Sequence, residues 1–297
     1  MIRRAVAVLV ASVAALGAAT YQFVEPPRVL SWLDAIAGGG AGVERVASAV
    51  SFGTTGQSLD VWRPAEPGRG KRRVLIFYYG GGWVHGDRRA YAFAARAFAR
   101  AGFVVVVPDY RKVPGVRFPA FVQDAAQAVK WTRDHIADYG GDVSRVAVAG
   151  HSAGAYNAVM LALDRRWLIA EGVDPDIVKA AVGLCGPYDF YPFTKRRSID
   201  AMQGVADPQA TQPIRFARSD APPMMLVTAS GDVQVRPYNA VKLTRRLKAV
   251  GARVDYRNFI GLSHEEVVMA LSKPFRGKAP VLADSVAFLE TAMPARR

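Results

Sequence analysis

With 297 residues, 51% of them hydrophobic, the chain can form one large domain with a sizeable core. Lys and Arg number 39 against 25 Asp and Glu, a net charge of +14, but the basic pairs (Arg72-Arg73, Arg88-Arg89, Arg245-Arg246, Arg296-Arg297) are scattered and no nucleic-acid motif accompanies them. The single cysteine, Cys185, excludes an internal disulfide, and four dispersed histidines with no cofactor fingerprint argue against a metal or cofactor.

Met1-Ile2-Arg3-Arg4 precedes an uncharged apolar stretch from Ala5 to Thr20, which Tyr21 to Val24 extends, with small residues around Ala18. A basic start, an apolar run and small residues near a cleavage point predict that residues 1–23 are a signal peptide or membrane anchor, with export to the periplasm or cell envelope. The competing reading is an amphipathic or disordered tail on a cytoplasmic protein. Residues 24–50 read as a linker with a short helix from Leu30 to Ile36, followed by the flexible Gly38 to Gly42. Residues 51–297 read as the main domain.

Apolar, β-rich runs at 74–79, 103–107, 146–149, 178–184, 224–229 and 253–260 alternate with helical stretches. Val122, Ala125, Val129, Thr132 and Ile136 have the 3,4,3,4 spacing of a helix face, with Asp124, Lys130 and Asp134 off it. Continuous Val/Ile/Leu strands separated by helices predict an α/β fold: a mostly parallel central sheet with helices on both faces. The less regular segment from Cys185 to Pro223 reads as a small lid or pocket wall. Its aromatics, Phe190, Tyr191, Phe193 and Phe216, either contact a ligand or anchor the segment on the core.

Four segments carry chemistry. Gly150-His151-Ser152-Ala153-Gly154 lies between the apolar run Val146 to Ala149 and helical sequence from Ala155. A serine bounded by glycines at a strand-to-helix turn has the arrangement of a nucleophile elbow, with its hydroxyl exposed at the strand's end. Tyr79-Gly80-Gly81-Gly82-Trp83 follows the first long strand. The N–H groups of Gly81, Gly82 and Ala153 are therefore candidate donors to an oxyanion. Asp232 leads off the 224–229 strand, and His264 follows the 253–260 strand, completing the order Ser, Asp, His. Asp189, in Gly186-Pro187-Tyr188-Asp189, is the rival acid. Of the other histidines, His151 adjoins the serine with its side chain directed away, His85 lies in a glycine-rich loop, and His135 sits on a polar helix face. Trp83 and Tyr156 adjoin the glycine loop and the elbow and are candidate pocket residues.

These segments, with Leu59 to Pro64, Val107 to Arg111 and Phe118-Pro119-Ala120, resemble the α/β-hydrolase superfamily. The similarity is to carboxylesterases of the hormone-sensitive-lipase-like and bacterial feruloyl-esterase-like branch, over roughly residues 51 to 290. The chain departs from the usual His-Gly-Gly-Gly by placing Tyr79 first, and from the third elbow glycine by placing Ala155. The resemblance implies Ser152 as nucleophile, Asp232 as acid, His264 as base, and an oxyanion hole of Gly81, Gly82 and Ala153. It implies hydrolysis of a small to medium carboxylic ester through an acyl-enzyme. An amide substrate, as in arylformamidases, is the alternative within the same chemistry. A non-catalytic relative acting as a binding protein is the alternative from another class.

Overall fold

A computed structural model describes residues 25–68 and 70–294; the expected signal segment 1–23 lies outside the described residues. Eight strands form one sheet in the order β1-β2-β4-β3-β5-β6-β7-β8. In chain order they are β1 Val43–Phe52, β2 Gln57–Pro64, β3 Arg72–Tyr78, β4 Val104–Pro108, β5 Gly141–His151, β6 Val178–Leu184, β7 Met224–Ala229 and β8 Val254–Phe259. β1 and β2 run antiparallel to their neighbours, and β4, β3, β5, β6, β7 and β8 run parallel. The Val104 to Val107 run is wholly buried, as a strand covered on both faces requires.

The covering helices are α1 Pro26–Ile36, α2 Ala92–Arg100, α3 Ala120–His135, α4 Ala153–Leu163, α5 Arg166–Ala170, α6 Arg196–Met202, α7 Tyr238–Ala249, α8 His264–Met269 and α9 Val281–Ala292. The β3–α2–β4 connection steps outward along the sheet, whereas β4–α3–β5 and β5–α4–β6 step the other way. Right-handed crossovers therefore put α2 on one face and α3 and α4 on the other. α9 packs with α2, and α3 packs with α4. The strand ends that carry the loops after β3, β5, β7 and β8 consequently share one edge, the usual place for a site in such sheets.

Three features differ from the sequence-based expectations. Residues 43–50, expected as linker, belong to β1, so the sheet begins before the expected boundary at residue 51. The strand is half-buried and mixes Glu44, Arg45, Ser48 and Ser51 with apolar residues; its pairing with β2 shifts register between Arg45 and Ala47 and between Ala47 and Val50, and Asp60 accepts the Ala49 N–H at 2.8 Å. An edge strand of that kind lacks the continuous apolar signature. Gly38 to Gly42, expected to be flexible, form an ordered turn whose Gly39 N–H bonds Asp34 O at 2.7 Å. Asp124, expected on the polar side of α3, is fully buried: the Arg111 guanidinium and amide grip its carboxylate at 2.7–3.0 Å.

Segment 185–223 contains α6 and two 3₁₀ turns, and it folds over the strand edge as a wall. Gln212 Oε1 accepts the N–H groups of Phe190 and Tyr191 at 2.7 and 3.1 Å, and Phe118 N–H bonds Ala201 O at 2.8 Å.

Candidate active site

β5 ends at His151 and α4 begins at Ala153, leaving Ser152 alone in the turn with φ 55° and ψ −120°. A side-chain-bearing residue in that region costs on the order of 1–3 kcal/mol. The conformation is fixed by its surroundings: Ser152 N–H bonds Leu184 O at 2.8 Å on the neighbouring strand. A Cβ at Gly154 would lie 2.1 Å from Tyr78 O, and one at Gly150 would lie 2.3 Å from Gly154 O. Only glycine lets α4 approach the ends of β3 and β5 this closely, and that approach leaves the Ser152 side chain at the strand edge.

The loop after β3 turns back at Gly81, which has φ 135° and whose carbonyl accepts the N–H groups of Val84 and His85 at 3.1 and 3.0 Å. A Cβ there would sit 2.2 Å from His85 O, so glycine is required. Among the described residues, the N–H groups of Gly81, Gly82 and Ala153 donate to no protein acceptor. The Ala153 amide also stands at the positive end of the α4 dipole. Three donors without a protein acceptor, at the ends of the paired strands β3 and β5, suit an oxyanion at Ser152.

His264 and Asp232 meet across the β7 and β8 ends. His264 Nδ1 lies 2.7 Å from Asp232 Oδ2, and the two side chains are 5% and 0% exposed. Asp232 Oδ1 accepts the N–H groups of Gln234 and Val235 at 2.9 and 2.7 Å, which holds the carboxylate still. A carboxylate can only accept, so Nδ1 carries the proton and Nε2 is left with its lone pair, the tautomer a general base needs. His264 opens α8 behind a Ser263 capping box: Ser263 N–H bonds Glu266 Oε2 at 2.9 Å, and Glu266 N–H returns to Ser263 Oγ at 3.3 Å. Lys278 and the cap hold the Glu266 carboxyl down at about 2. No hydrogen bond of standard geometry joins Ser152 Oγ to His264 here; such bonds commonly tighten only around a substrate.

Asp189, the rival acid, is turned elsewhere: its Oδ2 pairs with Lys242 Nζ at 2.7 Å. His151 is buried, bonded through its ring to Tyr91 and to the main chain of His264. Its ring is 4.7 Å from that of His264, and its Nε2 is 3.1 Å from His264 O. His85 is exposed near Glu25, and His135 lies against Trp131 at the end of α3.

The pocket residues need correction. Tyr156 is fully buried and donates its hydroxyl to Thr211 O at 2.7 Å, so it braces the wall and offers a substrate no surface. Trp83 is nearly buried, edge-on to Tyr156 at 5.2 Å and stacked near Phe190 at 6.2 Å. The half-buried Phe190 links it to Phe193, 5.5 Å further on. Tyr79, in the place of the usual histidine, is anchored by stacking on Tyr110 at 4.5 Å and by Lys112 Nζ at 3.1 Å from its hydroxyl. Tyr110 in turn donates its hydroxyl to Tyr79 O at 2.9 Å, so the glycine loop starts from a rigid aromatic pair.

Cys185 was not singled out by its sequence context as part of the site. Its sulfur, an Asp232 oxygen and a His264 nitrogen lie within 4.8 Å of one another. Burial and the adjacent Asp232 carboxylate raise the thiol well above its ordinary value. It therefore stays protonated, a donor toward the acid and not a thiolate ligand.

The mostly parallel sheet with helices on both faces is an α/β-hydrolase fold. A family model described as BD-FAE matches residues 59–247, and the chain belongs to that family. It is 34% identical over 231 residues to "Esterase LipC" of Mycobacterium tuberculosis, covering 70% of this chain and 56% of that protein. It is 27% identical over 249 residues to "Isoprenylcysteine alpha-carbonyl methylesterase ICME" of Arabidopsis thaliana, covering 77% and 58%. The chain thus spans a little over half the length of these curated relatives. Among solved structures, an esterase of Pyrobaculum calidifontis superposes with TM-score 0.71 at 25% identity, covering 89% of this chain and 92% of that one. The thermostable carboxylesterase EstE1, cloned from a metagenomic library, superposes with TM-score 0.72 at 22% identity, covering 92% and 99%.

Proposed function

We propose that the protein is a serine carboxylesterase acting on esters of small to medium size. The observation that carries this reading is the buried His264–Asp232 pair, 2.7 Å apart, on the same sheet edge as the strained Ser152. His264 Nε2 takes the Ser152 proton as Oγ attacks the ester carbonyl, and Asp232 holds the imidazolium without accepting its proton. The N–H groups of Gly81, Gly82 and Ala153 hold the oxyanion; each such donor is worth on the order of 3 kcal/mol of barrier. His264 returns the proton to the departing alcohol, and water then releases the acyl group from Ser152 by the same route. The names of the relatives, esterases and a methylesterase, support an ester over an amide.

The experiment is a p-nitrophenyl ester chain-length series run beside N-formylkynurenine with wild type and Ser152→Ala. Turnover of short and medium esters that vanishes in the variant is the expected result. Exclusive turnover of the formamide would replace the ester reading with an arylformamidase. No Ser152-dependent turnover of any substrate would favour a binding protein.

The site's location belongs to the same proposal. Arg3 and Arg4 before an uncharged stretch support export through residues 1–23, as a cleaved signal or an anchor. No helix among the described residues is long and apolar enough to cross a membrane. Cell fractionation with N-terminal sequencing tests export: an intact Met1 in the soluble cytoplasmic fraction would overturn it.

A further inference from the structure

α1 presents an apolar stripe to solvent. Val29, Trp32, Leu33 and Ile36 fall at i, i+3, i+4 and i+7 and are 39%, 64%, 39% and 66% exposed. The opposite face is fastened to the domain. Asp34 is buried, its Oδ2 taken by Arg96 Nε and its Oδ1 by Lys273 N–H, both at 2.7 Å, so the outer face carries no carboxylate.

Beside the stripe runs a groove of about 440 Å³, lined by Arg28, Arg45, Arg89, Arg96, Trp32 and Trp62 among others. Among the described residues, Arg28 pairs with Asp87, Arg45 with Asp60 and Arg96 with Asp34, while Arg89 is exposed and has no ion-pair partner. An apolar stripe with a tryptophan, rimmed by arginines, is the composition of a helix that lies in the headgroup layer of a bilayer. In the full chain an uncharged, largely apolar stretch, residues 5–24, precedes α1.

From these observations we infer that α1 docks on an anionic lipid bilayer, with Val29, Trp32, Leu33 and Ile36 in the acyl boundary and Arg89 toward lipid phosphate. The whole chain's charge of +14 attracts it to such a surface. A second copy fits less well. One 11-residue helix, about 16 Å long, falls far short of the roughly 800 Å² per partner that a stable dimer buries. Docking also sets the catalytic edge beside the lipid: Glu25, at the start of α1, accepts the Gly86 N–H at 3.2 Å, in the loop that closes on Gly81.

The test uses the full chain with Ile36→Cys carrying an environment-sensitive nitrobenzoxadiazole label. Cys185 is buried, so the label reports position 36. Vesicles of phosphatidylcholine with half phosphatidylglycerol should shift the emission to the blue and raise it several-fold, and pure phosphatidylcholine should not. In the same labelled background, Arg89→Gln should weaken partitioning about fivefold, with circular dichroism unchanged. Three results would overturn the inference. One is a label already in an apolar environment before vesicles are added, which means that the chain itself or a second copy covers the stripe. Another is a label that stays in water while the protein sediments with the vesicles, which assigns binding to other residues. The third is an equal response to phosphatidylcholine, which removes the anionic partner. None of these outcomes depends on whether the protein hydrolyses esters.

Discussion

His151 Nε2 lies 3.1 Å from the main-chain oxygen of His264, tying the residue before Ser152 to the histidine paired with Asp232. A carbonyl only accepts, so Nε2 bears the ring's proton, and Nδ1, 3.3 Å from the Tyr91 hydroxyl, accepts from it. Burial, with His264 adjacent, drives the His151 imidazolium well below its ordinary range, so the ring is neutral in the fold.

That arrangement has a pH signature. In the unfolded chain His151 protonates near pH 6.5, and in the folded protein it does not until far lower pH. The unfolded state therefore gains the proton first, and the contribution to stability is lost as pH falls below about 6.5. Urea unfolding between pH 5 and 8 should show this slope in wild type, and His151→Gln should flatten it. An unchanged slope would place the titrating group elsewhere.

Ser152 holds a backbone conformation that glycine adopts without strain. Comparing Ser152→Gly with Ser152→Ala isolates that strain, because both lack the hydroxyl. Release of about 1–3 kcal/mol of strain outweighs the roughly 0.5–1 kcal/mol of added unfolded-state entropy. The glycine variant should unfold several degrees above the alanine variant by calorimetry. The reverse order would mean that the turn is not strained.

Asp232→Asn removes the carboxylate that fixes the His264 tautomer and should lower kcat roughly 10⁴-fold. Asp189→Asn breaks only an exposed pair with Lys242, worth about 0–1 kcal/mol, and should leave turnover nearly unchanged. Steady-state kinetics on one chromogenic ester decides between them; the opposite ranking would move the acid to Asp189.

The Ser263 cap positions the first turn of α8. Ser263→Ala should cost about 1 kcal/mol of stability. Glu266 shares that cap and is held at about 2 against 4.5 for a free carboxyl. Because its folded value is depressed, its contribution is complete above about pH 4.5 and is lost as the pH falls toward 2. The stability gap between wild type and Glu266→Gln should accordingly narrow from pH 5 to pH 2. A gap that stays constant would show that the carboxylate's charge contributes nothing.

Five of the six parallel strands were legible because each contains a buried apolar run, and a double-sided burial signal needs no partner to be seen; β8, Val-Asp-Tyr-Arg-Asn-Phe, is a part-buried edge strand that shows no such run. The elbow and glycine loop were legible for a similar reason: backbone approaches as close as Gly154 to Tyr78 O admit one residue type. What escaped depends on contacts between residues far apart in the chain. β1 is held by pairing and by Asp60, Asp124 is buried by Arg111, and Tyr156 points its hydroxyl at Thr211 and not at a ligand. His151 to His264 and Cys185 to Asp232 are likewise juxtapositions across the sheet edge that no local pattern announces.

Covalent capture of the nucleophile tests the central claim most directly. Diethyl p-nitrophenyl phosphate presents a tetrahedral phosphorus to the hydroxyl and cannot be released as an acyl group can. One adduct per chain, mapped by peptide mass spectrometry to Ser152 and formed in step with loss of p-nitrophenyl butyrate hydrolysis, is the expected result. An adduct on another residue, or turnover that persists after Ser152 is fully modified, would contradict the account.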